Sequence, residues 1–180
     1  MKSNSLFKVL VTSAIACIII FSTPALAQEN IKLSNADVAS VMVLANQLYI
    51  EYSAIAQQKT KNVDILKFAK KIAEDHKIIK DHVVAVVHKI KVAPRNNVVS
   101  QKLWEDAVQA KIMLRSTSGN AFNKAYIDNE VAYHKTVIDT LENTLIPNVE
   151  NQELHALLQN IVPTLKAQLK DAIEMRNKIS

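Results

Sequence analysis

Apolar residues recur at helical spacing through four long segments, and this periodicity dictates what the chain can become. Ile65, Ala69, Ile72, His76, Ile79, Val83, Val86 and Ile90 follow one another at alternating steps of four and three. On an α-helix such steps draw a single stripe along one face, and a striped helix must bury that face against other helices. Val38, Val41, Ala45, Leu48, Tyr52 and Ile55 repeat the pattern earlier in the chain. Ile127, Val131, His134, Ile138, Leu141 and Leu145 repeat it later, and Leu154, Leu157, Leu158, Ile161, Leu165, Leu169 and Ile173 carry the last stripe. One glycine and four prolines in 180 residues leave little material for a turn-rich β fold or a glycine-rich phosphate loop. The expectation is an all-α chain.

The segment boundaries follow from local chemistry. The first helix is expected from about Asn35 to Thr60, capped by Ser34 or Asn35, with Asp37 in the first turn where the helix dipole favours a carboxylate. The second is expected from about Val63 to Ile90, and Pro94 disfavours helix at the residue before it. Ser100 is positioned to cap a short helix bearing Leu103, Ala107, Ala110 and Leu114, with Trp104 as a plug over one side. "STSGN", Ser116 to Asn120, reads as a loop. The third long helix is expected from about Ala121 to Leu145, ended by Pro147, and the fourth from about Asn151 to Ile179, kinked at Pro163. Short loops join the first and second helices and the third and fourth. The middle connection is long. Two antiparallel hairpins joined by a crossover is a known four-helix topology.

The N-terminal segment has a different purpose. Lys2 and Lys8 precede an apolar run from Val9 to Phe21 that ends in Pro24-Ala25-Leu26-Ala27, the layout of a secretory signal peptide with cleavage after Ala27. The domain then spans 28–180, the protein is exported to the periplasm, and no later apolar run is long enough for a membrane span. Ala14-Ile15-Ala16 before Cys17 is a poor lipoprotein box. Removing the signal removes the only cysteine, and with it disulfide and thiol chemistry. The net charge of +5 falls to +3 without Lys2 and Lys8, and both signs are interleaved, which gives no basic patch for nucleic acid.

Polar residues on or beside the stripes mark the candidate site. They are Glu51 on the first helix, Asp75 and His76 on the second, Glu130 and His134 on the third and Gln168 on the fourth. Residues equidistant from a hairpin turn lie side by side, so Glu51 falls level with His76, and His134 with Gln168, within about a helical turn. Such a layer can hold a first-row metal through imidazole and carboxylate together. The spacing departs from the paired-iron pattern Glu-x-x-His, because Glu130 and His134 are four apart. The expected ligands are therefore Glu51, His76, Glu130 and His134 to one divalent ion (Fe, Mn or Zn), with Asp75 orienting a His ring and Gln168 beside it. The alternative is a buried polar layer that only sets helix register in a non-enzymatic envelope protein. His82, His88 and His155 read as surface residues, the four tyrosines as core aromatics, and no catalytic Ser/His/Asp elbow is present.

Three stretches resemble a known family. "EYSAIAQQKTKNVDILKFAKKIAEDHK", "FNKAYIDNEVAYHKTVIDTLENTLIPN" and "ELHALLQNIVPTLKAQLKDA" look like the two hairpins and the closing helix of domain of unknown function 4142. This is a family of exported bacterial proteins, ferritin-like in fold and often labelled outer membrane proteins. The resemblance implies a periplasmic four-helix bundle able to carry a metal site, and the functional expectation is metal binding linked to metal or oxidative stress. The expected assembly is a monomer or homodimer, with any protein partner in the envelope. Glu51, Asp75, His76, Glu130 and His134 match polar positions of the family pattern. The family's last helix usually reads Pro-x-x-x-x-His-Leu, whereas this chain has Pro163 followed by Gln168-Leu169. Gln is a poor ligand for transition metals, so the departure counts against a full ferritin-type site.

Overall fold

The computed structural model describes residues 32–179. The signal peptide expected over residues 1–27, with Cys17 and the cleavage site, lies outside the described residues. All regular structure among the described residues is helical: α1 (Asn35–Lys59), α2 (Val63–Lys89), α3 (Val98–Ser116), α4 (Gly119–Thr140), the one-turn α5 (Ile146–Asn148) and α6 (Gln152–Ile179). A π-helical stretch, Leu141–Leu145, joins α4 to α5.

The helix ends are built by side chains. Ser34 and Asp37 form a reciprocal capping box at α1, and Asn62 Oδ1 accepts from the Asp64 and Ile65 amides in the first turn of α2. Asn97, not Ser100, caps α3, which makes this helix longer than the sequence suggests. Ser100 is the far half of that box. Asn151 caps α6, which runs unbroken through Pro163. The expected loop at Ser116–Asn120 shrinks to two residues, because α4 starts at Gly119, whose φ of +58° suits a residue without a side chain. Before Pro147, which has no N–H to donate, the helix widens: Ile146 N–H reaches back five residues to the Leu141 carbonyl.

The stripes meet in one core. α1 packs against α2, α3 and α4, while α6 packs against α4 and α2, a helical bundle whose interior is lined from four sides. Val38, Leu48, Tyr52, Ile65, Ile72, Ile127, Leu141, Leu154 and Leu158 are all essentially inaccessible. At about 2 kcal/mol for each large apolar side chain removed from water, this core is the main stabilising term. α1 alone among the described helices is long and apolar enough to cross a membrane, yet two-thirds of its apolar window is buried inside the fold. The crossover is tied down by Arg95, which donates to Asp37 at 2.8 and 3.0 Å and holds that buried carboxyl far below its usual range. Trp104 is not a plug: it is half exposed, with Lys111 Nζ 4.4 Å over its ring.

Candidate functional site

His76 and His134 face the same interior space from α2 and α4, and neither has any exposed surface. Each sits on its apolar stripe where an Ile or Leu would otherwise stand, so helix formation by itself turns the ring inward. Their ring centres are 6.0 Å apart. Tyr49 stacks on His76 at 3.7 Å and lies 4.6 Å from His134, closing the space on the α1 side.

The hydrogen bonds fix both tautomers. Asn46 Nδ2 donates to the Met42 carbonyl, so its Oδ1 is the atom facing His76. His76 Nδ1–H therefore donates to Asn46 at 2.8 Å. His134 Nδ1–H donates to the Glu130 carbonyl oxygen, also at 2.8 Å. In both rings Nε2 is left with a free lone pair, and neither Nε2 has a hydrogen-bond partner within the protein. Burial pushes both imidazoles down, His134 to about 4, so both are neutral at pH 7.

Gln168 completes this group from α6. It is buried, and its Nε2 donates to Asp75 Oδ2 at 3.0 Å, which turns Oε1 the other way. That oxygen also lacks a partner, and the amide lies beside both imidazoles. Two imidazole nitrogens and one amide oxygen in this group thus lack hydrogen-bond partners. Orphaned buried polar atoms are rare enough in folded proteins that such a cluster calls for a reason.

Glu130 occupies a second compartment. It is fully buried among Tyr49, Tyr52, Tyr126 and Tyr133, and its carboxyl lies on the Nδ1 side of His134, with Oε2 3.7 Å from Nδ1. Burial raises it to about 8, partly offset by the Tyr126 hydroxyl, so it is mostly protonated at pH 7. Neither of its oxygens forms a well-made hydrogen bond.

The four expected ligands are therefore not brought together. Glu51 turns away from the interior toward α3, where Lys111 Nζ lies 2.7 Å from Oε2 and Gln47 donates to Oε1. Its position is set by a cation that the stripe pattern did not weigh, since Lys111 is itself buried. Asp75 orients Gln168 instead of a His ring, and also pairs with Lys71 at 2.5 Å. Among the described residues no three His, Cys, Asp or Glu side chains gather closely enough to hold a metal ion. Asn46, which accepts from His76 Nδ1, is the residue of this group that sequence reasoning missed. Its signal was an amide pair, Asn46-Gln47, inside the otherwise apolar stretch "VMVLANQLY".

A family model described as "Domain of unknown function (DUF4142)" matches residues 21–175. The chain belongs to that family. Neither the curated proteins nor the solved structures yield a match to it.

Proposed function

We propose that this protein is an exported helical bundle of ferritin-like arrangement that binds one transition-metal ion between His76 Nε2 and His134 Nε2, with Gln168 Oε1 beside it. One observation carries the reading: both imidazoles spend Nδ1–H on a protein acceptor and keep Nε2 buried with no hydrogen-bond partner. That is how metal-binding histidines are held, because the Nδ1 bond fixes the tautomer and raises the basicity of the ligating nitrogen. The closed circuit of packed pairs, α1 with α2, α2 with α6, α6 with α4 and α4 with α1, supports the ferritin-like arrangement. Export rests on the layout of residues 1–27, read from sequence. Metal analysis of purified protein tests the binding claim. Wild type is expected to carry or take up one equivalent, and His76→Ala and His134→Ala none. Equally negligible metal in all three, after exposure to the metals, would sink it.

A second reading has its own support. The His76–Asn46 bond joins α2 to α1, and Tyr133 Oη donates to the Ala45 carbonyl at 3.1 Å, joining α4 to α1. Such bonds set helix register with no metal. This reading predicts loss of stability on removing either His and no uptake by wild type.

A further inference from the structure

We infer that the ion suited to this pair is monovalent, a filled-shell cation such as Cu(I), held in a nearly straight nitrogen–metal–nitrogen unit between His76 and His134. This rests on the two-imidazole reading above and narrows it; the divalent ion expected from sequence is replaced for three reasons.

The first is charge. The three unpartnered atoms, His76 Nε2, His134 Nε2 and Gln168 Oε1, are neutral donors. The carboxylates expected to balance a divalent ion are elsewhere: Glu51 is held by Lys111, Asp75 by Lys71 and the Gln168 amide, and the Glu130 carboxyl stands on the Nδ1 side of its neighbouring ring. The desolvation cost of a buried ion grows with the square of its charge, so a doubly charged ion faces roughly four times the penalty of a singly charged one in the same surroundings. Sites for Zn(II) and Fe(II) ordinarily meet that penalty with carboxylates, thiolates or a bound hydroxide.

The second is geometry. With metal–nitrogen bonds of about 2 Å on each side and both Nε2 atoms facing the ion, two imidazole centres lie about 5 Å apart at a tetrahedral angle and about 6.3 Å apart when the bonds are collinear, so a separation near 6 Å is within roughly 35° of straight. The observed separation is 6.0 Å. Filled-shell monovalent ions accept two ligands in a line, whereas Zn(II) requires four near tetrahedral angles.

The third is the count of ligands. Among the described residues Gln168 is the side chain whose amide lies beside both imidazoles, and an amide oxygen is a weak, hard ligand. Tyr49, stacked on His76 and close to His134, occupies the α1 side of the pair.

The test is competition and spectroscopy on purified, metal-free protein. It is titrated with Ag(I) in air, with Cu(I) under anaerobic conditions against a chromophoric Cu(I) chelator, and separately with Zn(II), Fe(II) and Mn(II). The expected result is one equivalent of Cu(I) or Ag(I), preferred over Zn(II) by about a hundredfold or more. X-ray absorption at the copper edge should show two nitrogen ligands. This measurement needs only wild type, so it stands even where His76→Ala and His134→Ala fold poorly. Zn(II) or Fe(II) binding at the His pair as tight as Cu(I) overturns the monovalent assignment, a copper spectrum with three or four ligands overturns the straight two-nitrogen unit, and either result leaves the two-imidazole site standing. Uptake of none of these ions overturns both.

Discussion

Glu51 and Glu130 are the same residue in two different electrical worlds. Both lie beside helical stripes, and the stripe pattern alone offers each as a metal ligand. Glu51 sits at the seam of α1 and α3. Partial burial there would raise its carboxyl, but Lys111 and Gln47 outweigh burial and hold it below its usual value. Glu130 sits among tyrosines with no cation near it, and burial lifts it to about 8. One carboxylate is a charge with a partner, the other a mostly neutral acid in the core. The difference teaches that position on a stripe says whether a group is buried, while the neighbouring helix decides its charge.

The largest effect should come from titrating that contrast in the metal-free protein. Glu130 keeps its proton in the folded state up to about pH 8 and loses it when unfolded near 4.5. Between those values the folded state holds the extra proton, so this contribution is full below pH 4.5 and is lost as pH rises toward 8. His134 works the other way. Its folded value near 4 lies below the ordinary 6.5, so stability is lost as pH falls from 6.5 toward 4, and His76 shifts in the same direction. Metal-free protein should thus be most stable near pH 6.5. Glu130→Gln should remove the alkaline limb, gaining on the order of 4 kcal/mol relative to wild type between pH 5 and pH 8. Chemical denaturation across that range reads it. Parallel pH profiles for the two proteins would show that Glu130 does not titrate in the folded state as described.

The next effect belongs to Asn46. Replacing it with Ala leaves His76 Nδ1–H buried without an acceptor, which should cost about 1–3 kcal/mol. Loss of that orienting bond should also weaken metal uptake by about 10- to 100-fold. Thermal unfolding and metal titration of Asn46→Ala check both. Unchanged uptake beside a clear loss of stability would favour the register-setting reading.

Much of this fold was legible because burial imposes a period. All six residues of the first stripe, from Val38 to Ile55, are buried, as are the two stripe histidines. The termini at Asn35 and Asn151 were equally readable, because a short polar side chain has few other uses before an apolar run. The candidate site was read only by half. Levels came from the midpoint of a hairpin, and taking that midpoint at 63 to 64 paired His76 with Glu51. The turn occupies Thr60–Asn62, centred on residue 61, from which His76 and Asn46 are equidistant. An error of two or three residues in a turn moves the partner by more than one helical turn, enough to exchange an amide for a carboxylate. α3 caused the other miss. Its buried Lys111 cannot be distinguished by sequence from the exposed lysines around it, yet it decides where Glu51 points.

A smaller effect should come from the α1–α3 seam. Glu51→Gln removes the partner of a lysine whose side chain is only 10% exposed, while Glu51 itself is one-third exposed. Screening by water limits the loss to about 1–2 kcal/mol, read by denaturant unfolding at neutral pH. The same variant should take up metal as wild type does, because its carboxylate is bound to Lys111 and not to the histidine pair. A metal defect in Glu51→Gln would return Glu51 to the ligand set and contradict the separation of the two compartments.

Asp75→Ala should move stability least and the site most selectively. Asp75 is partly exposed and its pair with Lys71 is a surface i,i+4 contact, worth a few tenths of a kcal/mol. What it does inside the fold is choose which way the Gln168 amide points. With the carboxylate present, Nε2 is held outward and Oε1 faces the imidazoles. Without it, the amide is free to turn over and offer N–H groups to the free Nε2 lone pairs, giving the pair hydrogen bonds in place of a metal. Uptake should therefore fall while the unfolding midpoint barely changes. Gln168→Leu separates the two effects, since it removes both the amide donor and the amide oxygen. If Gln168→Leu in the Asp75→Ala background restores uptake, Asp75 acts by restraining the amide. If uptake stays low, the oxygen itself is needed as a ligand, and the straight two-nitrogen unit has to give way to a three-coordinate one.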